Sequence, residues 1–475
     1  MSTEKWTIED YRKKLGLPVA VLATIAVYLM PPMAGLSAVG QKALALFAGI
    51  FVLYLTEAIP LPISSLAVVP LAVLMNIVKP KDALSGFSST SAYLLVGAFV
   101  LAAAMVKSKL AERITYQIMR LVGTTTNRIT LGITLANIFL AFLVPSSTAR
   151  TAILLPVCLG IIEIFGKENR TKFAVNLLLT LSFTNATISA GILTATVPNP
   201  VGVEFIAKAS GHVISFGEWF VYGFPPALLM TFLTWWLIQK VYPPEHKEIE
   251  GGQEFVAARL RELGPISLNE KKAMFVFLLV VVLWVTGGWT KIDTTISCLV
   301  GVVMLFLPKL GFLNWKETEK AISWQVLLVA GGGISLGEIL MKTGAAKWLA
   351  TTIFHSLGLS MLSVGIMLAV IMLIIQYMHL LFVGTTAMAT AFLPIVLGLA
   401  QVANIPPAVF ALPATMIIGG YPLLMFYNTL PNILIYGTGK LTVGDFPRVG
   451  VALCTVACLI YALCAVTYWK WLGLY

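Results

Sequence analysis

Charge is what this chain has least of: Lys, Arg, Asp and Glu make up 11% of its 475 residues, where ordinary soluble domains carry roughly 25%. So little polar surface excludes a water-soluble enzyme or binding module. Histidine is rare, with four residues, and the five cysteines (Cys158, Cys298, Cys454, Cys458 and Cys464) all fall in apolar stretches with no CxxC pair. No His stands near them at metal-ligand spacing, so they read as small core residues and neither a metal nor another cofactor is implied. An intramembrane hydrolase needs two acids, or a nucleophile with a base. No acid pair stands inside an apolar block, and His379 is the one histidine read there. The net charge of +11 does not point to nucleic acid, because the cations sit in short loops and form no long basic tract. Retention of Lys and Arg in cytoplasmic loops explains them better.

What is abundant is hydrophobic sequence, 58% of the chain. Blocks such as Leu17 to Gln41, Phe87 to Val106, Trp219 to Gln239 and Val449 to Trp469 carry no charge. A transmembrane β-barrel would show segments of about ten residues alternating in polarity, whereas these are apolar throughout and long enough to span as helices. The fold class is therefore all-α, a polytopic membrane protein. The polar opening MSTEKWTIEDYRKK runs into an apolar segment with no small-residue cleavage site at a plausible distance, so no cleavable signal is read. The expected setting is a bacterial inner (plasma) membrane.

Spans are expected near 18–38, 42–56, 62–78, 88–106, 173–189, 219–239, 273–290, 294–308, 323–340, 356–378, 408–427 and 449–469. The only sizeable polar stretch, 241–272, divides the chain almost in half and reads as a linker. Lys5, Arg12, Lys13 and Lys14 put the amino terminus in the cytoplasm, and Lys107, Lys109, Arg113, Arg120, Arg128, Lys167, Arg170 and Lys172 mark both flanks of residues 129–165 as cytoplasmic. That segment is interrupted by Val144-Pro145-Ser146-Ser147-Thr148, which predicts a hairpin entering from inside and turning back. From Leu380 to Gly439 there is no charged residue at all. One straight helix of that length would far exceed the bilayer, so the segment folds back at breakers such as Gly384, Pro394, Pro406-Pro407, Gly419-Gly420 and Pro431. Broken backbone at membrane depth is tolerated only when buried or lining a wet cavity, so the breaks point to a site.

The chain repeats itself. Ser147-Thr148-Ala149 with Leu155-Pro156 recurs as Thr385-Thr386-Ala387 with Leu393-Pro394, Thr196-Val197-Pro198-Asn199 as Thr429-Leu430-Pro431-Asn432, and Leu94-Leu95-Val96 as Leu327-Leu328-Val329. The first hairpin is flanked by cations, while the second lies in a stretch with none between Lys347 and Lys440. Opposite orientation makes this an inverted repeat, the architecture in which secondary transporters place substrate near the midplane.

Each repeat supplies a hydroxyl-bearing tip, Ser146-Ser147-Thr148 or Gly384-Thr385-Thr386, directly before an apolar helix. Helix starts carry free N–H groups and partial positive charge, so two facing tips suit an anion with two negative ends, a dicarboxylate. The plain alternative is that these residues only cap helices. The breaks at Thr196-Val197-Pro198-Asn199 and Thr429-Leu430-Pro431-Asn432 free carbonyls and N–H groups beside the tips. Arg150 lies two residues past the first tip, with no Asp or Glu within ten residues on either side. Burying its guanidinium demands a distant acid, carbonyls or a bound anion, which leaves substrate contact and structural pairing both open. His379, just before the second tip, is either a site residue or a hydrogen-bonded core histidine.

At these residues the sequence resembles the divalent anion/sodium symporter family. Thr56-Glu57-Ala58-Ile59-Pro60-Leu61-Pro62 is similar to that family's early TEALPLP-type signature, Gly331-Gly332-Gly333 to its glycine run, and the breaks to its TPPN-like motif, with Val197 and Leu430 in place of the first proline. The resemblance implies a homodimer in which a fixed scaffold (residues 1–120 and 273–352) carries a mobile transport domain (121–245 and 353–475), with 246–272 as a cytoplasmic linker and substrate moved by an elevator motion. It also implies that Ser147, Thr148, Thr385 and Thr386 contact substrate carboxylates, with Thr196 and Thr429 beside them. The tips depart from the family's Ser-Asn-Thr: both asparagines, which there help cage sodium, are replaced by Ser147 and Thr385, and Gly384 replaces a serine. The expectation is therefore sodium-independent exchange of dicarboxylates such as 2-oxoglutarate, malate or succinate. A sodium-coupled di- or tricarboxylate symporter and a passive anion channel are the alternatives.

Overall fold

The computed structural model describes residues 8–123, 125–165, 170–248 and 251–474. Lys5 and Lys167 lie outside them. Among the described residues no strand forms, and nine helices are long and apolar enough to cross a membrane. In order the helices are α1 Ile8–Leu29, α2 Ala38–Thr56, α3 Leu61–Leu74, α4 Pro80–Ala83, α5 Thr90–Ser108, α6 Leu110–Val122, α7 Thr126–Leu143, α8 Ser147–Phe165, α9 Lys172–Ser189, α10 Pro198–Ser210 and α11 Phe216–Val241. After them come α12 Gly252–Leu263, α13 Leu268–Thr290, α14 Thr294–Met304, α15 Trp315–Thr318, α16 Trp324–Lys342, α17 Ala345–Ser356, α18 Val364–Met378, α19 Thr385–Val402, α20 Pro407–Gly420, α21 Leu430–Tyr436, α22 Asp445–Val466 and α23 Tyr468–Trp471.

Helix starts follow the capping chemistry of the sequence. Ser37, Ser89, Thr125 and Thr171 accept a backbone N–H at the starts of α2, α5, α7 and α9, and Ser215-Glu218 and Ser267-Glu270 form reciprocal capping boxes on α11 and α13. Two expected spans are corrected. The first is not 18–38: α1 takes in part of the polar opening and stops at Leu29, because Pro31-Pro32 cannot continue it. The expected span 356–378 is two pieces, since α17 ends at Ser356 and α18 starts only at Val364, after Gly358 in the left-handed region and the N-cap Ser363. The linker is not all loop either, as it holds α12.

The two repeats are visible as matching series, α5 to α11 and α16 to α22. Helices α7 and α8 form the first hairpin, and α18 and α19 the second. Helix α13 leaves the linker face, the chain returns to it by Gly311, whose carbonyl accepts from Lys272 Nζ (3.3 Å), and α16 leaves it again, so the hairpins start from opposite faces. The base of the first is tied to the linker face: Thr126 N–H donates to Lys247 O (3.0 Å), and the Glu245 carboxylate accepts from Lys172 N and Phe173 N at the start of α9.

At the centre lie the broken helices. Nearly every residue of α9 from Phe173 and of α20 from Val409 is buried. Outward faces are apolar, with Trp289 82%, Leu278 62% and Leu229 59% exposed, the surface that lipid covers in an integral membrane protein. Helix α16 reaches the centre because its glycines admit close neighbours. A Cβ on Gly332 would stand 2.1 Å from Ser65 O on α3, and one on Gly333 would stand 2.4 Å from the Thr390 side chain on α19.

Candidate functional site

Both hairpin tips and both helix breaks open on one cavity of about 840 Å³. Of the residues singled out in the sequence, Ser146, Ser147, Thr148, Thr196, Val197, Gly384, Thr385, Thr386, Thr429, Leu430 and Pro431 line it. Its mouth is on the linker face, between Glu57 at the end of α2, Lys107 at the end of α5 and Glu317 on α15, the last two forming an ion pair. Arg150, Pro198, Asn199, His379 and Asn432 stand behind the wall and are buried.

The two tips differ in how much of their helix start is free. Ser146 Oγ accepts from Ala149 N (3.2 Å) and its carbonyl accepts from Arg150 N (3.0 Å), so part of the α8 start is already satisfied. Gly384 caps α19 without a side chain, so the first turn of that helix keeps its donors for whatever enters the cavity. Its φ of +119° explains the residue: only glycine adopts this conformation without strain.

Behind the wall the two repeats use the same device. Asn199 Nδ2 donates to Ser189 O (2.8 Å) and Ile192 O (2.9 Å), and Asn432 Nδ2 donates to Pro422 O (2.9 Å) and Met425 O (3.1 Å). In each case the asparagine satisfies carbonyls freed ten and seven residues upstream, where the preceding helix ends. The asparagine after each proline therefore holds the break in shape and does not face the cavity.

Arg150 and His379 do comparable work at the tips. The Arg150 guanidinium is fully buried and donates to Asn185 Oδ1 (2.8 Å), Val144 O (2.7 Å), Ser189 Oγ and Ala195 O (3.3 Å). These four neutral oxygens belong to the hairpin turn, the end of α9 and the break loop, so one side chain ties three segments together. Its positive charge sits one layer behind the wall, since Asn185 and Ser189 line the cavity. His379 makes ring-nitrogen hydrogen bonds with Gln376 O (2.9 Å) and Ile418 O (3.2 Å). Asn428 completes the second tie, donating to His379 O (2.6 Å) and Phe382 O (3.3 Å).

Asn185 escaped the sequence reading. It lines the cavity, donates to Ser147 O and Thr151 Oγ1 (both 2.8 Å), and accepts from Arg150. The polar run Thr184-Asn185-Ala186-Thr187 inside an otherwise apolar segment was the available signal.

Residues 11–475 match the family described as the sodium:sulfate symporter transmembrane region. The chain belongs to that family. As a sodium:sulfate symporter family member it is a membrane transporter and not an enzyme. A Cupriavidus necator relative described as a membrane protein is 31% identical, covering 96% of this chain and 93% of its own length. The sodium-dependent dicarboxylate transporter SdcS of Staphylococcus saprophyticus is 29% identical over 92% of this chain and 87% of the relative. The SdcS protein of Staphylococcus aureus is 28% identical over 89% and 85%. Among solved structures, the Alcanivorax borkumensis YdaH transporter shares the fold with a TM-score of 0.54 at 12% identity, covering 98% of each chain.

Proposed function

We propose that this family member carries dicarboxylates through the two-tip cavity, coupled to sodium as the names of its SdcS relatives suggest. The observation that carries the reading is the pair of hydroxyl-bearing helix starts, Ser147-Thr148 and Thr385-Thr386, on the wall of one cavity. Each supplies N–H and O–H donors to one carboxylate. Residues 121–245 with 353–475 are taken as the moving body and residues 1–120 with 273–352 as its support, with two copies forming a dimer. The linker face is taken as cytoplasmic, as the cation distribution predicts.

One observation favours a second reading, obligatory one-for-one exchange without sodium. Arg150 already brings a cation to oxygens of the first tip and break, and a carrier that keeps this charge is slow to return empty unless a counter-anion neutralises it. Uptake into proteoliposomes separates the two readings. A sodium gradient driving labelled succinate into unloaded vesicles is the result expected for symport. Uptake that requires internal dicarboxylate and is unchanged when choline replaces sodium assigns the protein to exchange.

Thr148→Val and Thr386→Val are each expected to weaken dicarboxylate binding by about 1–3 kcal/mol, because a charged oxygen loses one hydroxyl donor. Competition binding on the purified variants checks this, and full affinity in both removes the tips from the site.

A further inference from the structure

We propose that a cluster of five charged side chains latches the closed end of the cavity and so holds the carrier open toward the linker face. Helix α16 starts at the cavity mouth, where Ser323, Gln325 and Val326 line it, and ends at Glu338 and Lys342, about 22 Å further along at ~1.5 Å per residue. Helix α10 likewise leaves the cavity at Val197 and carries Glu204 and Lys208 toward the same far face. There Lys208 is paired both with Glu204 on its own helix (3.3 Å) and with Glu338 on α16. Glu338 also accepts from Ser85 and pairs with Lys342 (3.7 Å), which reaches Asp82 on α4 (3.3 Å). Glu204 accepts from Ser91 (3.1 Å) and Thr90 (3.3 Å) at the start of α5. Helix α10 is thus ion-paired to α16, hydrogen-bonded to the start of α5, and linked to α4 through Lys342.

Beneath the cluster the seam between α10 and α16 is dry and close. A Cβ on Gly337 would stand 2.3 Å from the Phe205 ring, so the two helices touch through a glycine. The Glu338 side chain is only 9% exposed and that of Glu204 13%, which shields their pairs from the solvent that weakens surface ion pairs.

The inverted repeat supplies an internal control. The counterparts of α10 and α16 at the linker face are α21 and α5. At the repeat offset of 233, Gly437, Leu441 and Met105 hold the places of Glu204, Lys208 and Glu338. The Lys208–Glu338 pair between α10 and α16 thus has no charged equivalent at the matching positions of α5 and the segment after α21. In the alternate state the matching seam of α21 on α5 would lack this pair, so charge biases the carrier toward the state seen here. This inference needs two-sided access but does not depend on which anion is carried.

The test is thiol accessibility. Ala103→Cys on α5 faces the cavity near its mouth, where α21 would cover it in the alternate state. Its maleimide labelling rate is measured above that of the parent chain, whose five thiols are buried or half-buried. Glu338→Gln and Lys208→Met are each expected to lower the open-to-closed ratio by about fivefold, the change that ~1 kcal/mol between two states produces, and so to slow labelling in proportion to the lost open fraction. Lys208→Arg, which keeps the charge facing Glu204 and Glu338, is expected to keep most of the parent rate. Unchanged labelling in folded Glu338→Gln and Lys208→Met, or slowing by Lys208→Arg as large as by Lys208→Met, overturns the latch. Loss of dicarboxylate uptake in the parent would sink the substrate reading and leave this result standing.

Discussion

Arg150→Met is expected to destabilise the folded transporter by a few kcal/mol, since each buried acceptor left without its donor costs about 1–3 kcal/mol. The carbonyls of Val144 and Ala195 lose their guanidinium donor, Asn185 Oδ1 loses its partner, and the hairpin turn, the end of α9 and the break loop come apart. Thermal unfolding in detergent should show the loss directly. Arg150→Lys should recover only part of it, because an ammonium lacks the planar fork that reaches all three segments at once. Transport should fall equally for dianions and trianions, since the side chain does not reach the cavity. A well-folded variant that loses only the more highly charged substrates would instead make Arg150 a direct ligand.

Gly332→Val is the second large effect. Its Cβ would stand 2.1 Å from Ser65 O and 2.6 Å from the Ser65 carbonyl carbon. Backbone cannot swing away as a flexible side chain can, so α16 and α3 must separate. Overpacking of this kind costs about 1–3 kcal/mol and occasionally more, and here the displaced helix also carries Glu338. Lower unfolding temperature and reduced transport are both expected. Gly288→Ala is the matched control: nothing lies within 4 Å of its Cβ position, and alanine is favoured over glycine inside a helix by about 1 kcal/mol. That variant should be neutral or slightly stabilised, and equal damage at both positions would refute the close-packing argument.

Much of this architecture was legible in the sequence because membrane backbone has so few options. A proline in an apolar segment flanked by cations on both sides leaves a hairpin, and a charge-free stretch too long for one helix must fold back. The breaks at Pro198 and Pro431 and the tips at Ser147 and Thr385 followed from that logic. The end of α1 was misread because apolar content was weighed above Pro31-Pro32. The α17 to α18 junction was misread because its breakers, Gly358 and Ser363, sit among apolar residues. The site was legible in its wall and not in its support. Asn185 reaches Arg150 across 35 positions, and no spacing rule announces a partnership of that kind. The sequence marks Asn199 and Asn432 only as parts of breaks that free carbonyls and N–H groups, not as the side chains that fill them. Their amides satisfy carbonyls that the breaks leave without helical partners.

The most direct test of the dicarboxylate reading is a competition panel against labelled succinate uptake in proteoliposomes, run with sodium outside and dicarboxylate inside so that either coupling mode supports flux. Saturable uptake that is suppressed by unlabelled malate or 2-oxoglutarate, and left intact by acetate and sulfate, is the predicted result. Uptake of labelled sulfate under the same conditions, undiminished by any dicarboxylate, would contradict it.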